Sequence, residues 1–393
     1  MNGPLDHIRV LELAQVASGP MTGHLLGELG ADVIKVEPPE GDLWRRLPPQ
    51  HDAMSAPFYA VNRGKRSVVL DLKRPSGVEV VHRLAAASDV VIENWRPGVA
   101  RRLGIDLDAL RAAHPGLITV SISGYGPDGP RSDERVYDPI VQGVAGATHS
   151  QAVDGRPELV TTILADKVTS LAASQAVLAA IIERSRTSKG QHISVRMLDS
   201  LVAFLWPDIL SGQTFLASPQ EDRSAKPTRT SAIARAGDGK FLAFNTITDE
   251  SWREVCAFAE RPDLYEPYLD IKVRSDNVRK IVRELEAAFE GYTRDELLKV
   301  LKDRQVPCGP VNSYEEVLED AQVLHSGIIQ EHERGTLGTV REVAPMVRLA
   351  SASERWLGAA PRLGEHAEEI LVELGYSADD VTRLLEEHRG RSS

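Results

Sequence analysis

The residue best placed to do chemistry in this 393-residue chain is an aspartate. In Ala165-Asp166-Lys167 a carboxylate stands at the mouth of a small-residue helix predicted over Val168 to Glu183. A buried helix start holds unpaired backbone N–H groups and positive dipole charge, so a carboxylate there stays ionised and can attack an electrophile. The same residue type at the same place also serves as a plain helix cap, and the residue alone leaves both readings open. A second feature is basic charge. Between Val61 and Arg102 stand nine basic residues (Arg63, Lys65, Arg66, Lys73, Arg74, Arg83, Arg96, Arg101, Arg102) against four acidic ones (Asp71, Glu79, Asp89, Glu93). Such a stretch is either a solvated face or a site for a multiply charged anion such as a phosphorylated cofactor.

The bulk of the chain bounds these readings. A content of 42% hydrophobic and 26% charged residues is that of a globular protein, and the length corresponds to about two domains. The formal charge of −11 argues against nucleic acid as a partner, because binding a phosphate backbone requires a basic face. Cys256 and Cys308 have neither CxxC nor Cys/His spacing, so no disulfide framework and no metal site is expected. With no basic-then-apolar leader and no uninterrupted run of about 18 apolar residues, a cytoplasmic location without a membrane partner is expected.

The elements that must position Asp166 alternate. Ile8 to Leu13 reads as a strand, Met21 to Leu29 as a helix opened by Gly19-Pro20, and Asp32 to Glu37 as a second strand. The pattern repeats with strands at Ser67 to Leu72, Asp89 to Glu93 and Leu117 to Ser123, and helices at Pro75 to Ala87 and Leu107 to Ala113. Short apolar strands alternating with helices predict an α/β fold, a Rossmann-like parallel sheet covered on both faces. The first strand-to-helix turn, Gln15-Val16-Ala17-Ser18-Gly19-Pro20, lacks G-x-G-x-x-G, which disfavours NAD. A strand over His192 to Met197 and a helix over Leu198 to Leu210 complete a large domain, residues 1–210. Residues 211–230 read as a linker or mobile loop, 231–325 as a small domain, and 326–393 as a return to the large domain. Within the small domain, Thr293-Arg294-Asp295-Glu296 is a capping box. The return segment is expected to hold a strand at Met346 to Leu349 and a helix pair over Glu365 to Glu387, with Glu365-His366 capping the first helix.

Ten short segments, in order, resemble the class III coenzyme A transferases, the family that includes formyl-CoA transferase, carnitine CoA-transferase and α-methylacyl-CoA racemase. They are Gly19-Pro20; Gly30-Ala31-Asp32-Val33-Ile34-Lys35-Val36-Glu37-Pro38-Pro39 with Gly41-Asp42; Asn62-Arg63-Gly64-Lys65-Arg66-Ser67 leading to Leu70-Asp71-Leu72-Lys73; and Glu93-Asn94-Trp95-Arg96-Pro97-Gly98. Ser121-Ile122-Ser123-Gly124-Tyr125-Gly126, Tyr137-Asp138, Asp166, Gly190-Gln191, Val306-Pro307-Cys308-Gly309-Pro310-Val311 and Gly364-Glu365-His366 follow. The resemblance implies that Asp166 is a covalent nucleophile carrying first an acyl anhydride and then a CoA thioester. The bottom-up chemistry agrees, since carboxylate, anhydride and thioester exchange without ATP or a metal when N–H donors meet the developing oxyanion. Coenzyme A carries about four negative charges on its phosphates. Carried over by position, Lys73, Asn94, Trp95, Arg96, Arg102 and Arg135 are its contacts, with arginine suited to phosphate by its planar fork. An interlocked homodimer is likewise implied by the resemblance.

The chain also departs from the family's pattern. Pro38 stands where formyl-CoA transferase has a basic residue against the adenine, and Ala17 stands where it has a glutamine, with Gln15 two positions earlier. Gln15, Ala17 and Tyr137 are therefore candidates for the substrate pocket, and formate or oxalate is disfavoured. Two rivals remain. A racemase or epimerase needs an acid/base pair at the α-carbon, and this chain has Val136-Tyr137-Asp138 where that branch has Gly-His-Asp. A non-catalytic acyl-CoA-binding homologue would keep the fold without turnover.

Overall fold

The structure is a computed structural model that describes residues 3–217, 230–350 and 357–389. By contact it divides into two compact units, Met1–Pro207 with Ile328–Ser393, and Asp208–Gly327. Residues 218–229 of the expected linker lie outside the described residues, and Ser211–Gln213 forms a short 3-10 helix.

The larger unit is built on six parallel strands: β1 (Arg9–Glu12), β2 (Asp32–Glu37), β3 (Arg66–Val69), β4 (Val90–Glu93), β5 (Ile118–Ser123) and β6 (His192–Arg196). Their spatial order is 3-2-1-4-5-6, so strand order reverses between β1 and β4. Alternate residues of each strand point to opposite faces, and both faces are apolar. Leu11, Ile34 and Val91 pack under one layer of helices, while Val10, Val33, Val90 and Ile92 pack under another. The sequence thus anticipates the α/β architecture and the parallel sheet, with strand boundaries within three residues of those observed.

Helices α1 (Ser18–Glu28), α2 (Pro75–Ala86), α3 (Leu107–Ala113), α4 (Asp138–Val144) and α5 (Leu164–Thr187) lie in crossovers, and α6 (Met197–Leu205) follows β6. By length and composition α5 could cross a membrane, but its small residues Ala165, Thr169, Ser170, Ala173 and Val177 are buried and it packs along α1. It begins four residues earlier than the sequence predicts, which places Asp166 inside the first turn.

The return segment departs from expectation at one strand. Met346 to Leu349 is not a strand; the hairpin lies earlier, at Ile329–Glu333 and Thr339–Val343. Pro345, which has no N–H to donate to a ladder, separates the hairpin from the apolar run. The helix pair follows at Ala367–Glu373 and Ala378–Glu387, and it covers Val68, Leu70, Val80 and Leu84. Neither Glu365 nor His366 caps it: Glu365 accepts from Arg362 N–H at 2.6 Å, and His366 Nδ1 accepts from Ser67 N–H at 3.3 Å.

The smaller unit is a three-stranded antiparallel sheet (Ser231–Arg235, Phe241–Asn245, Cys308–Val311). Helices Asp249–Phe258, Val278–Phe289 and Arg294–Asp303 contribute to its core around Trp252, Leu285, Phe289 and Leu301.

Candidate active site

In open parallel sheets the crevice for a ligand forms at the carboxyl ends of the strands, where strand order reverses. Here that place is the turn after β1 beside the segment after β4. The turn has an unusual backbone. Asn94, just past β4, holds Gln15 from both sides: its Oδ1 accepts the Gln15 N–H at 3.0 Å and its Nδ2 donates to the Gln15 carbonyl at 2.7 Å. Val16 has φ +70°, a left-handed conformation that a β-branched residue rarely adopts. Its N–H donates to both carboxylate oxygens of Asp42 at 3.2 Å. Two residues later α1 starts at Ser18, without a side-chain cap. Gly19 is required there, because a Cβ on it would stand 2.2 Å from that of Ala14.

Behind this turn lies a fully buried set of charges. Lys35 Nζ meets Glu12 at 3.0 Å, Asp42 at 2.9 Å and the Ala14 carbonyl at 2.8 Å. Lys65 Nζ meets Glu12, Asn62 and the Pro20 carbonyl, each at 2.8 Å. Burial pulls the Lys65 ammonium down to about 8, whereas Lys35, equally buried but facing three carboxylates, is held above the usual lysine value. Glu37 ends β2, accepting from Arg45 at 2.7 Å, Ser67 Oγ at 2.7 Å and Asp42 N–H at 3.1 Å.

Asp166 faces the turn from the start of α5. Asp166 is 9% exposed; Ser18, at the start of α1, favours its ionised form, and Ser170 Oγ joins the two main chains, donating to the Ser18 carbonyl at 2.9 Å and the Asp166 carbonyl at 2.7 Å. Its own N–H donates to Asp138 Oδ2 at 3.0 Å. That bond explains why α5 begins early: the acceptor for its first turn comes from 28 residues away and leaves no local capping signature in the sequence. Gln142, one turn after Asp138 on α4, donates to Asp138 Oδ1 at 2.6 Å and binds the Val160 N–H and the Thr162 carbonyl at 3.0 Å each. Burial, and then the charge of Asp138, push the Asp166 carboxyl up to about 6, against the pull of Ser18. At neutral pH it is mostly ionised yet more basic than an ordinary aspartate, a useful property in a nucleophile.

These groups open on a cavity of about 400 Å³. Eight of the ten residues singled out from the sequence line it: Gln15, Ala17, Asn94, Trp95, Arg96, Arg135, Tyr137 and Asp166. Lys73 and Arg102 do not; both are exposed. The basic stretch is largely neutralised inside the protein. Arg63 pairs with Glu342, Lys65 with Glu12, Arg66 with Asp32, Glu369 and Glu373, and Arg74, Arg83 and Arg101 with neighbouring acids. Of its nine cations, Lys73, Arg96 and Arg102 show no ion pair among the described residues; nor does Arg135. The cavity therefore presents two arginines, Arg96 and Arg135, that are available to an anion. Asn94, expected as a ligand contact, spends its amide on Gln15. Trp95 both lines the cavity and packs against the core, and its N–H donates to Glu93 at 2.7 Å.

Sequence reading missed Ser18, Asp42 and Gln142. Ser18 and Asp42 stand within or beside segments that carry the family resemblance, but a hydroxyl before Gly-Pro or an aspartate after glycine signals an ordinary turn. Gln142 has no local signature at all. Among the described residues no group of three or more His, Cys, Asp or Glu is arranged to hold a metal ion.

The sheet and cavity define an α/β protein with a buried carboxylate, raised above the usual aspartate value, beside its switch point. Residues 5–367 match the sequence profile of CoA-transferase family III. The chain is 33% identical over 392 residues to succinyl-CoA:glutarate CoA-transferase of Mus musculus, covering 97% of this chain and 89% of that protein. It is 34% identical over 390 residues to succinate–glutarate CoA-transferase of Agrobacterium fabrum, covering 94% and 96%. The crystal structure of a CAIB/BAIF family protein from Brucella suis superposes with a TM-score of 0.83 at 31% identity, covering 95% of this chain and all of that one. The chain belongs to CoA-transferase family III.

Proposed function

We propose that the chain moves coenzyme A between an acyl-CoA thioester and a free carboxylic acid through covalent intermediates on Asp166. The observation that carries this reading is the Asp166 carboxylate, raised to about 6, on a cavity it shares with Ser18 and with Arg96 and Arg135, which show no ion pair among the described residues. An Asp166 oxygen attacks the thioester carbonyl, the C–S bond breaks, and CoA leaves as thiolate, giving a mixed anhydride. The thiolate then attacks the aspartyl carbonyl, releasing the first acid as carboxylate and leaving an Asp166 thioester. An incoming carboxylate attacks that thioester and displaces the thiolate, which then takes the new acyl group and frees Asp166. The donors of Ser18 and the start of α1 supply positive charge where the oxyanion develops.

Arg96 and Arg135 are assigned to anionic groups of the ligand. Trp95 and Tyr137 are assigned to the pantetheine arm and the acyl group, with Gln15 and Ala17 beside them. Coenzyme A is longer than the cavity, and Lys73 and Arg102, exposed and unpaired, are assigned to its nucleotide end. The names of the two transferases above make dicarboxylic acids such as succinate and glutarate the first substrates to test. A homodimer belongs to this reading. It is supported by apolar side chains left open on α4, α5 and α6 of the larger unit, Ile140, Val144, Leu171, Ile182 and Phe204, each more than 40% exposed. Light scattering on the purified chain decides it.

The racemase alternative has weak support, since no histidine lines the cavity and His149 is exposed outside it. Deuterium wash-in at the α-carbon of a 2-methylacyl-CoA tests it. For the transferase reading, acyl-CoA is incubated with the protein, quenched with hydroxylamine and analysed by mass spectrometry. A hydroxamate at Asp166, together with exchange between paired thioesters and acids, is the expected result. Absence of any adduct at Asp166 with exchange intact would overturn the mechanism. CoA binding without turnover would leave a binding protein.

A further inference from the structure

The backbone from Ala14 to Pro20 is held from outside itself. Its carbonyls at Ala14 and Pro20 accept from Lys35 and Lys65, its N–H and carbonyl at Gln15 are taken by Asn94, and its N–H at Val16 is taken by Asp42. All four side chains come from other segments. In the middle sits Val16 at φ +70°, a conformation strained for a β-branched residue that persists only when the surroundings over-determine it. Two residues on, Ser18 lines the cavity with Asp166, and Ser170 Oγ donates to the main-chain carbonyls of both.

We infer that Asp42 is a positioning residue for the transfer reaction: from its buried place between Lys35 and the Val16 N–H, it holds the turn in its left-handed conformation and so aims Ser18 at Asp166. Asp42 suits the role. It is 0% exposed, and besides Val16 it accepts from Trp44 N–H at 2.9 Å, while its own N–H is fixed by Glu37. Lys35 neutralises it at 2.9 Å and is itself tied to the turn at Ala14. The carboxylate touches neither Asp166 nor the cavity; its effect passes through the main chain of residues 16 to 18. An error of about 1 Å in such a donor can cost about a hundredfold in rate.

This inference rests on the proposed role of Asp166, and the test keeps the two apart. In the full-length protein, single-turnover acylation of Asp166 by acyl-CoA is followed by hydroxylamine trapping, with acyl-CoA affinity and melting temperature measured in parallel, for D42A, V16G and the double variant. The expected result for D42A is acylation slower by about ten- to a hundredfold with a much smaller change in affinity. V16G raises the melting temperature, because the clamp remains and glycine adopts φ +70° without strain. The double variant recovers at least part of what D42A loses, since glycine reaches the required conformation unaided. Melting temperatures are non-additive: V16G is more favourable in the otherwise unaltered chain than in D42A, where the turn is free to relax. An unchanged acylation rate in D42A overturns the inference, as does a double variant no faster than D42A, or additive melting temperatures. Should D42A fail to fold, the V16G melting temperature decides alone, and a value no higher than that of the unaltered chain overturns the clamp. Lack of labelling at Asp166 in the unaltered chain overturns the functional reading, while the melting-temperature cycle still reports on the clamp.

Discussion

The helices around the cavity start differently from most helices of the smaller unit. In the smaller unit five helices open on a side chain at their own N-cap: Thr248, Asp270, Thr293, Ser313 and Asp320. In the larger unit the four helices whose first turns line the cavity, α1, α4, α5 and α6, have no such cap. Buried carboxylates divide the same way. The larger unit buries Glu12, Glu37, Asp42, Glu93, Asp138, Asp166 and Glu342, whereas among the described residues of the smaller unit no carboxylate is buried and the buried charges are Arg274 and Arg294. A local cap satisfies an N–H group and secures a helix; leaving it out keeps donors and positive charge for something else. One unit is stabilised by apolar packing and caps, and the other spends stability on reactive groups.

Substitutions can break this contrast, and the largest effect is expected at Asp166. Asp166→Ala should lower CoA exchange by about 10⁴-fold or more and abolish the trapped adduct, with the fold intact by circular dichroism. Substantial exchange in that variant would erase the distinction between the regions.

Asp166→Asn sharpens the contrast through stability. The folded chain holds the Asp166 proton more tightly than the unfolded chain, so the stability due to this group is complete below pH 4 and is lost as pH rises through 6. Replacing it by a neutral amide should raise stability at pH 7.5 by about 3 kcal/mol, from two units at about 1.4 kcal/mol each. The gain should vanish near pH 3. Chemical denaturation at the two pH values measures it, and an equal gain at both would remove the electrostatic explanation.

Asp138→Asn comes next. It removes the negative charge facing Asp166, so the acid limb of the exchange rate should move below 6, with the plateau falling about tenfold as the carboxylate becomes a weaker nucleophile. A limb that stays at 6 would show that burial alone sets the value. The smallest effect belongs to the other unit: Thr293→Ala should cost about 1 kcal/mol of stability and leave exchange unchanged.

The same contrast decides what the amino-acid sequence reveals. Apolar alternation in Val10-Leu11 and Val33-Ile34, proline at the first turn of α2 and the Thr293 capping box are local, and each marks its element in the sequence. Asp166 and most of its neighbours in the cavity were legible from segment resemblance. The basic stretch was misleading, because charge counted along the chain cannot show that Glu12, Glu342 and Glu373 return from elsewhere to neutralise it. The true first residue of α5 was hidden for the same reason: its acceptor, Asp138, is distant in sequence. Val16 gives no warning of its conformation, since valine by itself favours an extended backbone.

The helix pair Ala367–Glu373 and Ala378–Glu387 roofs the face formed by Val68, Leu70, Val80 and Leu84, and Glu369 and Glu373 fasten it to Arg66 and Arg9 at the sheet edge. Synthesis proceeds from the amino end, so the first strands to emerge from the ribosome are among the last to be sheltered. Until residues 367–387 arrive, the nascent sheet exposes a greasy flank, and a chain truncated before Ala367 would be sticky and prone to degradation.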